Sequence, residues 1–286
     1  MSEILEQVIA NRTLAIETGK LAGQANGAVA VHYGDTVVLD TLSASQEESE
    51  RLDFIPLTVD YEERLYAAGK IPGSFFRREG RPTQDATLAA RLTDRPIRPL
   101  LNKGFHRRMQ IVITVLSTDQ ENDPDILAVI GASAALSISD IPFEGPVGAV
   151  RIGYIDGELV INPTFTQLQS SSLDLIVVST REAVMTVEGG AREMTEATVL
   201  EAIRLGHETN LEIVSLQEQL RSRCGKPKVE VEAIESNPQV EEAVRSGLGS
   251  RLAGAIREGD KEQREKAMST LKEELLEKLG ETYPHS

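Results

Sequence analysis

The sequence predicts an α+β protein, and three observations predict it. Segments that alternate apolar and polar residues, joined by glycine-containing turns, recur on both sides of one long apolar helical stretch running from Asp123 to about Ser137. Strands precede and follow helices without strict alternation, which argues for a mixed layer of sheet and helix and against a doubly wound parallel fold. Near Arg221 the composition shifts to polar and charged residues with helical spacing, which adds a small all-α part. We place the division at residues 1–222 and 223–286.

The elements follow in order. Residues 13–45 read as strands, with Tyr33-Gly34-Asp35 as a hairpin signal between Val29-Ala30-Val31 and Thr36-Val37-Val38-Leu39. Phe54 to Val59 reads as a short strand. Thr83 to Leu92, rich in alanine and leucine, predicts a helix that stops before Arg95-Pro96. The apolar run Ile111 to Leu116 suits a central strand buried on both faces. In Asp119 to Asp125, a calcium loop would need glycine where Pro124 stands; Asp123 reads instead as an N-cap and Pro124 as the first helical residue. The helix that follows is apolar on nearly every face and should be buried, with Gly131, Ala132 and Ala134 allowing a close neighbour. Hairpins are expected about Asp156-Gly157 and between Leu173–Ser179 and Val184–Val187. Thr195 caps a helix whose expected stripe is Leu200, Ile203, His207, Leu211 and Val214, with His207 a packing residue. Gly225 to Pro238 reads as a linker, followed by two amphipathic helices joined at Gly259-Asp260.

Composition excludes several classes of function. The chain has 286 residues, a net charge of −15 and a single cysteine, so it forms no intrachain disulfide, and Cys224 with no histidine near it reads as incidental. No apolar run reaches the roughly 20 residues of a membrane span, and the first residues are acidic where a signal peptide is basic, so a cytoplasmic protein is expected. Thr18-Gly19-Lys20 is not a P-loop, because Leu14 stands where the first glycine belongs. Nor does the chain hold a Gly-x-Ser-x-Gly elbow.

The most informative stretch is Ile71 to Leu101. After the turn dipeptide Pro72-Gly73 it sets Phe75 and Phe76 beside Arg77 and Arg78, and glycine and proline follow at once, which predicts a tetrad at the tip of an ordered loop. Exposed rings stack on unpaired bases at about 1–3 kcal/mol each, and guanidinium groups fork onto phosphates. The alternative reading is an arginine-rich loop whose phenylalanines reach back into the core. Arg81, Arg91, Arg95, Arg98, Lys103, Arg107 and Arg108 extend a local basic patch. In an acidic protein such a patch holds RNA at one defined place while the remaining surface repels it, because screening confines exposed charges to about 10 Å.

Four segments carry a family resemblance: FIPLTVDYEERLYAAGKIPGSFFRREGRP from Phe54, RLTDRPIRPL from Arg91, DPDILAVIGASAALSISDIPFEGPVGAVRIGYIDGELVINPT from Asp123, and GHE from Gly206. Through them the chain, from about Thr18 to about Leu220, resembles the polynucleotide phosphorylase family of phosphate-dependent RNA-degrading enzymes. The resemblance implies a ribonuclease-PH-like core with a ribosomal protein S5 domain 2-like mixed sheet in residues 1–222, then an all-α linking domain in 223–286. It also implies that a second core, which this chain does not include, carries the Mg²⁺ ligands, the catalytic lysine and the pocket for inorganic phosphate. No catalytic or metal-binding residue is therefore assigned here.

By the same resemblance Phe75, Phe76, Arg77 and Arg78 form a constriction loop at the mouth of a homotrimer's central channel, with Arg81 close by and Arg91, Arg95 and Arg98 toward the path of single-stranded RNA. The implied activity is 3′-to-5′ phosphorolysis in mRNA turnover, with partners of an RNA-degradation complex. Two readings compete with it: an RNA-binding or assembly module acting alone, and a stand-alone ribonuclease-PH-like enzyme, for which the paired carboxylates and phosphate site are not found.

Overall fold

The computed structural model describes residues 2–48, 54–73, 80–231, 238–280 and 282–283. The chain forms two compact units, Met1–Val231 and Glu232–Ser286.

The larger unit contains two sheets. The first is built from β1 (Glu3–Ile9), β2 (Arg12–Thr18), β3 (Gly27–Tyr33), β4 (Thr36–Glu48), β5 (Leu57–Glu63) and β6 (Arg107–Ser117), in the order β1-β2-β3-β4-β6-β5. Its neighbours are antiparallel except β5 and β6, which run parallel. The second is β10-β9-β7-β8, from β7 (Gly148–Ile155), β8 (Glu158–Ile161), β9 (Leu173–Ser179) and β10 (Val184–Ala191). Between them run α1 (Gln84–Ile97), α2 (Pro124–Ile138) and α4 (Glu196–Cys224), with the single turn α3 (Phe165–Leu168) at the edge. Helix α2 packs on β3 and β4 of one sheet and on β7 of the other, so it forms the centre of the core. The mixed arrangement of sheets and helices is the one predicted.

Local chemistry explains most elements. Asp123 caps α2, its carboxylate accepting from the Asp125 amide at 2.9 Å, and every residue from Ile126 to Ile138 is buried. The β7–β8 turn places Asp156 and Gly157 at φ 51° and 87°, the left-handed pair that a two-residue hairpin requires.

Several expectations need correction. Helix α1 runs through Pro96, which sits in the last turn with Ile97 and is buried, so core packing outweighs one lost backbone bond. Strand β6 has neighbours on both edges but is buried on one face only: Met109, Ile111, Ile113 and Val115 point inward, whereas Gln110 is exposed and Val112 and Thr114 are half-exposed. The strand expected from Phe54 begins at Leu57, and Phe54 is 64% exposed. Strand β1 was not anticipated.

The buried residues of α4 are Ala202, Gly206, Asn210, Ile213, Val214, Leu216, Gln217 and Leu220; of the expected stripe Val214 is buried, while Leu200 is exposed. Gly206 admits Val177 so closely that a Cβ there would lie 2.8 Å from it. Asn210 donates to the Val177 carbonyl and to Ser179 Oγ, each at 3.0 Å. Gln217 donates to the Val147 carbonyl at 2.8 Å and accepts from Ser133 Oγ at 2.8 Å. Bonded amides and a glycine thus occupy positions where a hydrophobic pattern looks for leucine.

Residues Gly225–Val231, expected to belong to a linker, lie on the core: Lys226 N donates to the Ile138 carbonyl at 2.9 Å and Val229 N to the Asp140 carbonyl at 2.8 Å. In the smaller unit the first expected helix is broken into α5 (Pro238–Leu248) and α6 (Arg251–Ile256) by Gly249 at φ 45°. The second, α7 (Lys261–Gly280), buries Leu271.

Candidate nucleic-acid interface

Phe75, Phe76, Arg77 and Arg78 lie outside the described residues; the two anchors of their loop are described. On the N-terminal side the chain leaves β5 through a 3-10 turn, Leu65–Ala68, closed by Gly69 at φ 66°. The Thr118 amide donates to the Ala67 carbonyl at 3.2 Å and ties this turn to the end of β6. On the C-terminal side Thr83 caps α1, accepting from the Ala86 amide at 3.0 Å, and its hydroxyl donates to Glu63 at 2.8 Å. Both ends of the loop are therefore held near the end of β5.

Helix α1 has two faces. Ala86, Ala89, Leu92, Thr93, Pro96 and Ile97 are buried, and Gln84, Leu88, Arg91 and Arg95 stand exposed at helical spacing on the other side. Arg81 and Arg91 are exposed and form no ion pair with a described residue. Arg95 pairs with Glu188 of β10 at 3.1 Å across a half-exposed surface, a contact of small energetic value.

Arg98 is engaged differently. Its guanidinium forks onto Asp94, at 3.1 and 2.6 Å, and donates to the carbonyls of Ile55 at 2.8 Å and Leu57 at 3.0 Å. It fastens the end of α1 to the start of β5. The sequence grouped Arg91, Arg95 and Arg98 together; the structure brings Arg91 and Arg95 onto one exposed face and gives Arg98 to the framework.

A second polar cluster lies at the start of α2. Arg151 bridges Asp123 and Asp174, the latter at 2.7 and 3.2 Å. Asp119 accepts from the amides of Glu121 and Asn122 at 2.9 and 2.7 Å and from Thr36 Oγ1 at 3.0 Å, bonds that hold its carboxyl below the usual range. Burial and neighbouring Asp123 push the Asp125 carboxyl up. The space beside Tyr33, Asn122, Asp123 and Arg151 is about 10 Å³, room for one water at most, so these groups satisfy one another instead of facing a ligand. Arg151 gave no signal in the sequence, because only the fold brings β7, β9 and α2 together.

With this geometry in hand, the comparisons assign the class. The chain matches the 3′ exoribonuclease family, domain 1, over residues 10–142, and domain 2 of the same family over residues 145–209. It belongs to that family. The crystal structure of rice (Oryza sativa) Rrp46 shares the fold with a TM-score of 0.57 at 13% identity, covering 77% of this chain and 94% of that one.

Much nearer in sequence are polyribonucleotide nucleotidyltransferases. That of Heliobacterium modesticaldum is 52% identical over 99% of this chain, and that of Dehalococcoides mccartyi 51% identical over 97%. A third, from Herpetosiphon aurantiacus, is 53% identical over 95%. The chain spans 40%, 39% and 35% of the length of these relatives. Among the described residues no helix is long and apolar enough to cross a membrane.

Proposed function

We propose that this chain is the RNA-guiding part of a phosphate-dependent 3′-to-5′ exoribonuclease that releases nucleoside diphosphates from single-stranded RNA during mRNA turnover in the cytoplasm. The observation that carries the reading is identity above 50% along nearly the whole chain to polyribonucleotide nucleotidyltransferases, together with both domains of the 3′ exoribonuclease family. The first ribonuclease-PH-like core, expected from the sequence to end at residue 222, takes in the core-bound segment through Val231, and the helical unit that follows acts as the linking domain. Three copies assemble as a ring around one strand, with Phe75 and Phe76 stacking on bases and Arg77, Arg78, Arg81, Arg91 and Arg95 following phosphates, on a framework that Arg98 secures. A duplex is too wide for such an opening, so unpaired ends are selected.

The chemistry is assigned to the part of such an enzyme that this chain does not span. There inorganic phosphate would attack the terminal phosphodiester phosphorus, releasing a nucleoside diphosphate and leaving the shortened RNA with a 3′-hydroxyl, and a bound Mg²⁺ would supply charge neutralisation. Accordingly this chain binds single-stranded RNA and releases no ADP from polyadenylate in the presence of phosphate and Mg²⁺. Phosphate-dependent ADP from the purified chain would place a complete active site within it and overturn the division of labour; absence of RNA binding would overturn the guiding role.

A further inference from the structure

We propose that a second contact surface for single-stranded RNA, separate from the loop at Phe75–Arg78, lies where β5 and β6 begin, and that Phe54, Lys103, Arg107 and Arg108 form it. The proposal rests on the RNA-guiding reading above and adds a site to it. From Arg95 to Thr118 the sequence contains five arginines and lysines and no aspartate or glutamate, in a chain of net charge −15. Lys103, Arg107 and Arg108 form no ion pair with a described residue. Backbone contacts bring three described glutamates to this end: the exposed Glu47 and Glu144, which pair with none of the three cations, and Glu48, which the β4–β6 register sets opposite Arg107.

The turn that carries these cations is firmly built. Leu101 is buried and bridges Phe143. The Asn102 side chain accepts from the Gly104 amide at 2.8 Å, and its carbonyl accepts from Phe105 at 3.0 Å. Phe105 is buried, and the Arg107 guanidinium lies 5.8 Å from its ring centroid, which orients that half-buried side chain. The Arg108 amide donates to Ser45 Oγ at 3.1 Å. Lys103 and Arg108 are left exposed on a fixed backbone, the condition under which a charge binds phosphate with little loss of chain freedom.

The aromatic partner comes from the neighbouring strand. Met109 pairs with Leu57 in parallel register and its amide donates to the Pro56 carbonyl at 2.8 Å, so Pro56 lies beside the start of β6. Phe54 stands at the head of that segment with 64% of its surface exposed. An exposed ring two residues before Pro56, on the segment that meets the strand carrying Arg107 and Arg108, fits a ligand that offers bases and phosphates together, which is single-stranded nucleic acid.

The test is fluorescence anisotropy with a labelled oligoadenylate over a salt series, on the whole chain and its variants. Lys103→Gln with Arg108→Gln, which spares the contact under Arg107, is expected to weaken binding and to flatten the slope of log affinity against log salt by about 1.4; adding Arg107→Gln brings this to about 2. Phe54→Ala is expected to weaken binding about tenfold with the slope unchanged. Arg77→Ala with Arg78→Ala reports on the loop. If that pair flattens the slope while the Lys103 and Arg108 variant matches the parent, the second surface is overturned and the guiding reading stands. A parent chain that binds no oligoadenylate overturns both. Phe54→Ala with parental affinity removes the stacking contact and the assignment to RNA with it.

Discussion

Asp40 and Gly131 occupy one space at the centre of the core: a Cβ on residue 131 would lie 1.8 Å from the Asp40 carboxylate oxygen Oδ2. Asp40 projects from β4 onto the backbone of α2, fully buried, and neither of its oxygens has a hydrogen-bond partner among the described residues. Gly131→Ala is therefore expected to destabilise the chain by about 1–3 kcal/mol through overpacking. Combined with Asp40→Ala, which vacates the space, the two changes should cost clearly less than their sum, as read from urea unfolding midpoints. Strict additivity would show that the two residues do not meet.

The same carboxyl sets a dependence on pH. Burial raises the Asp40 pKa well above its ordinary 3.8. In the unfolded chain the group ionises near that ordinary value, so above it the unfolded state binds fewer protons than the folded one. Stability then falls as pH rises, by about 1.4 kcal/mol per unit, until the folded group itself ionises. Asp125 acts in the same direction. Unfolding between pH 4 and 7 should show a shallower decline for Asp40→Asn than for the parent chain; parallel curves would mean that Asp40 is already ionised when folded.

Arg91 and Arg98 should separate cleanly. Arg98→Lys gives up the fork that holds Asp94, Ile55 and Leu57 together and is expected to cost about 1–3 kcal/mol of stability. Arg91→Ala, on an exposed face without a described ion pair, should leave stability within about 0.5 kcal/mol and weaken RNA binding at low salt. Thermal unfolding beside anisotropy distinguishes them, and a stability loss on Arg91→Ala would make it a framework residue too.

Lys228 closes the far end of α2. Its ammonium group donates to the carbonyls of Leu136, Ser137 and Ser139 at 2.8, 3.1 and 2.8 Å; the Leu136 carbonyl also accepts from Ser139 Oγ at 2.8 Å, so the ammonium adds to a helix end that is partly capped already. Lys228→Met should lower the unfolding free energy by about 1–3 kcal/mol with RNA affinity unchanged. Loss of RNA affinity without loss of stability would assign Lys228 to the interface.

Phe75→Ala with Phe76→Ala is expected to weaken binding to oligoadenylate by about 1–3 kcal/mol per stacked base and to leave the salt slope as it was, since rings release no counterions. An altered slope would show that the rings position the arginines and do not themselves meet bases.

Sequence alone determined the mixed architecture, the capped apolar helix that became α2, the hairpins at Gly34-Asp35 and Asp156-Gly157, and the motifs that point to the family. These depend on near neighbours: a cap reaches two or three residues, and a two-residue turn prescribes its own dihedrals. Tertiary structure decided the remainder. It carried α1 through Pro96, turned α4 to bury Gly206, Asn210 and Gln217, and joined Arg151 to Asp123 and Asp174. It also separated Arg98, bound into the framework, from Arg91 and Arg95 on the exposed face. Whether a polar side chain faces water or a partner depends on what a distant strand brings to it, and burial free energy outweighs the helical or strand preference of any single residue.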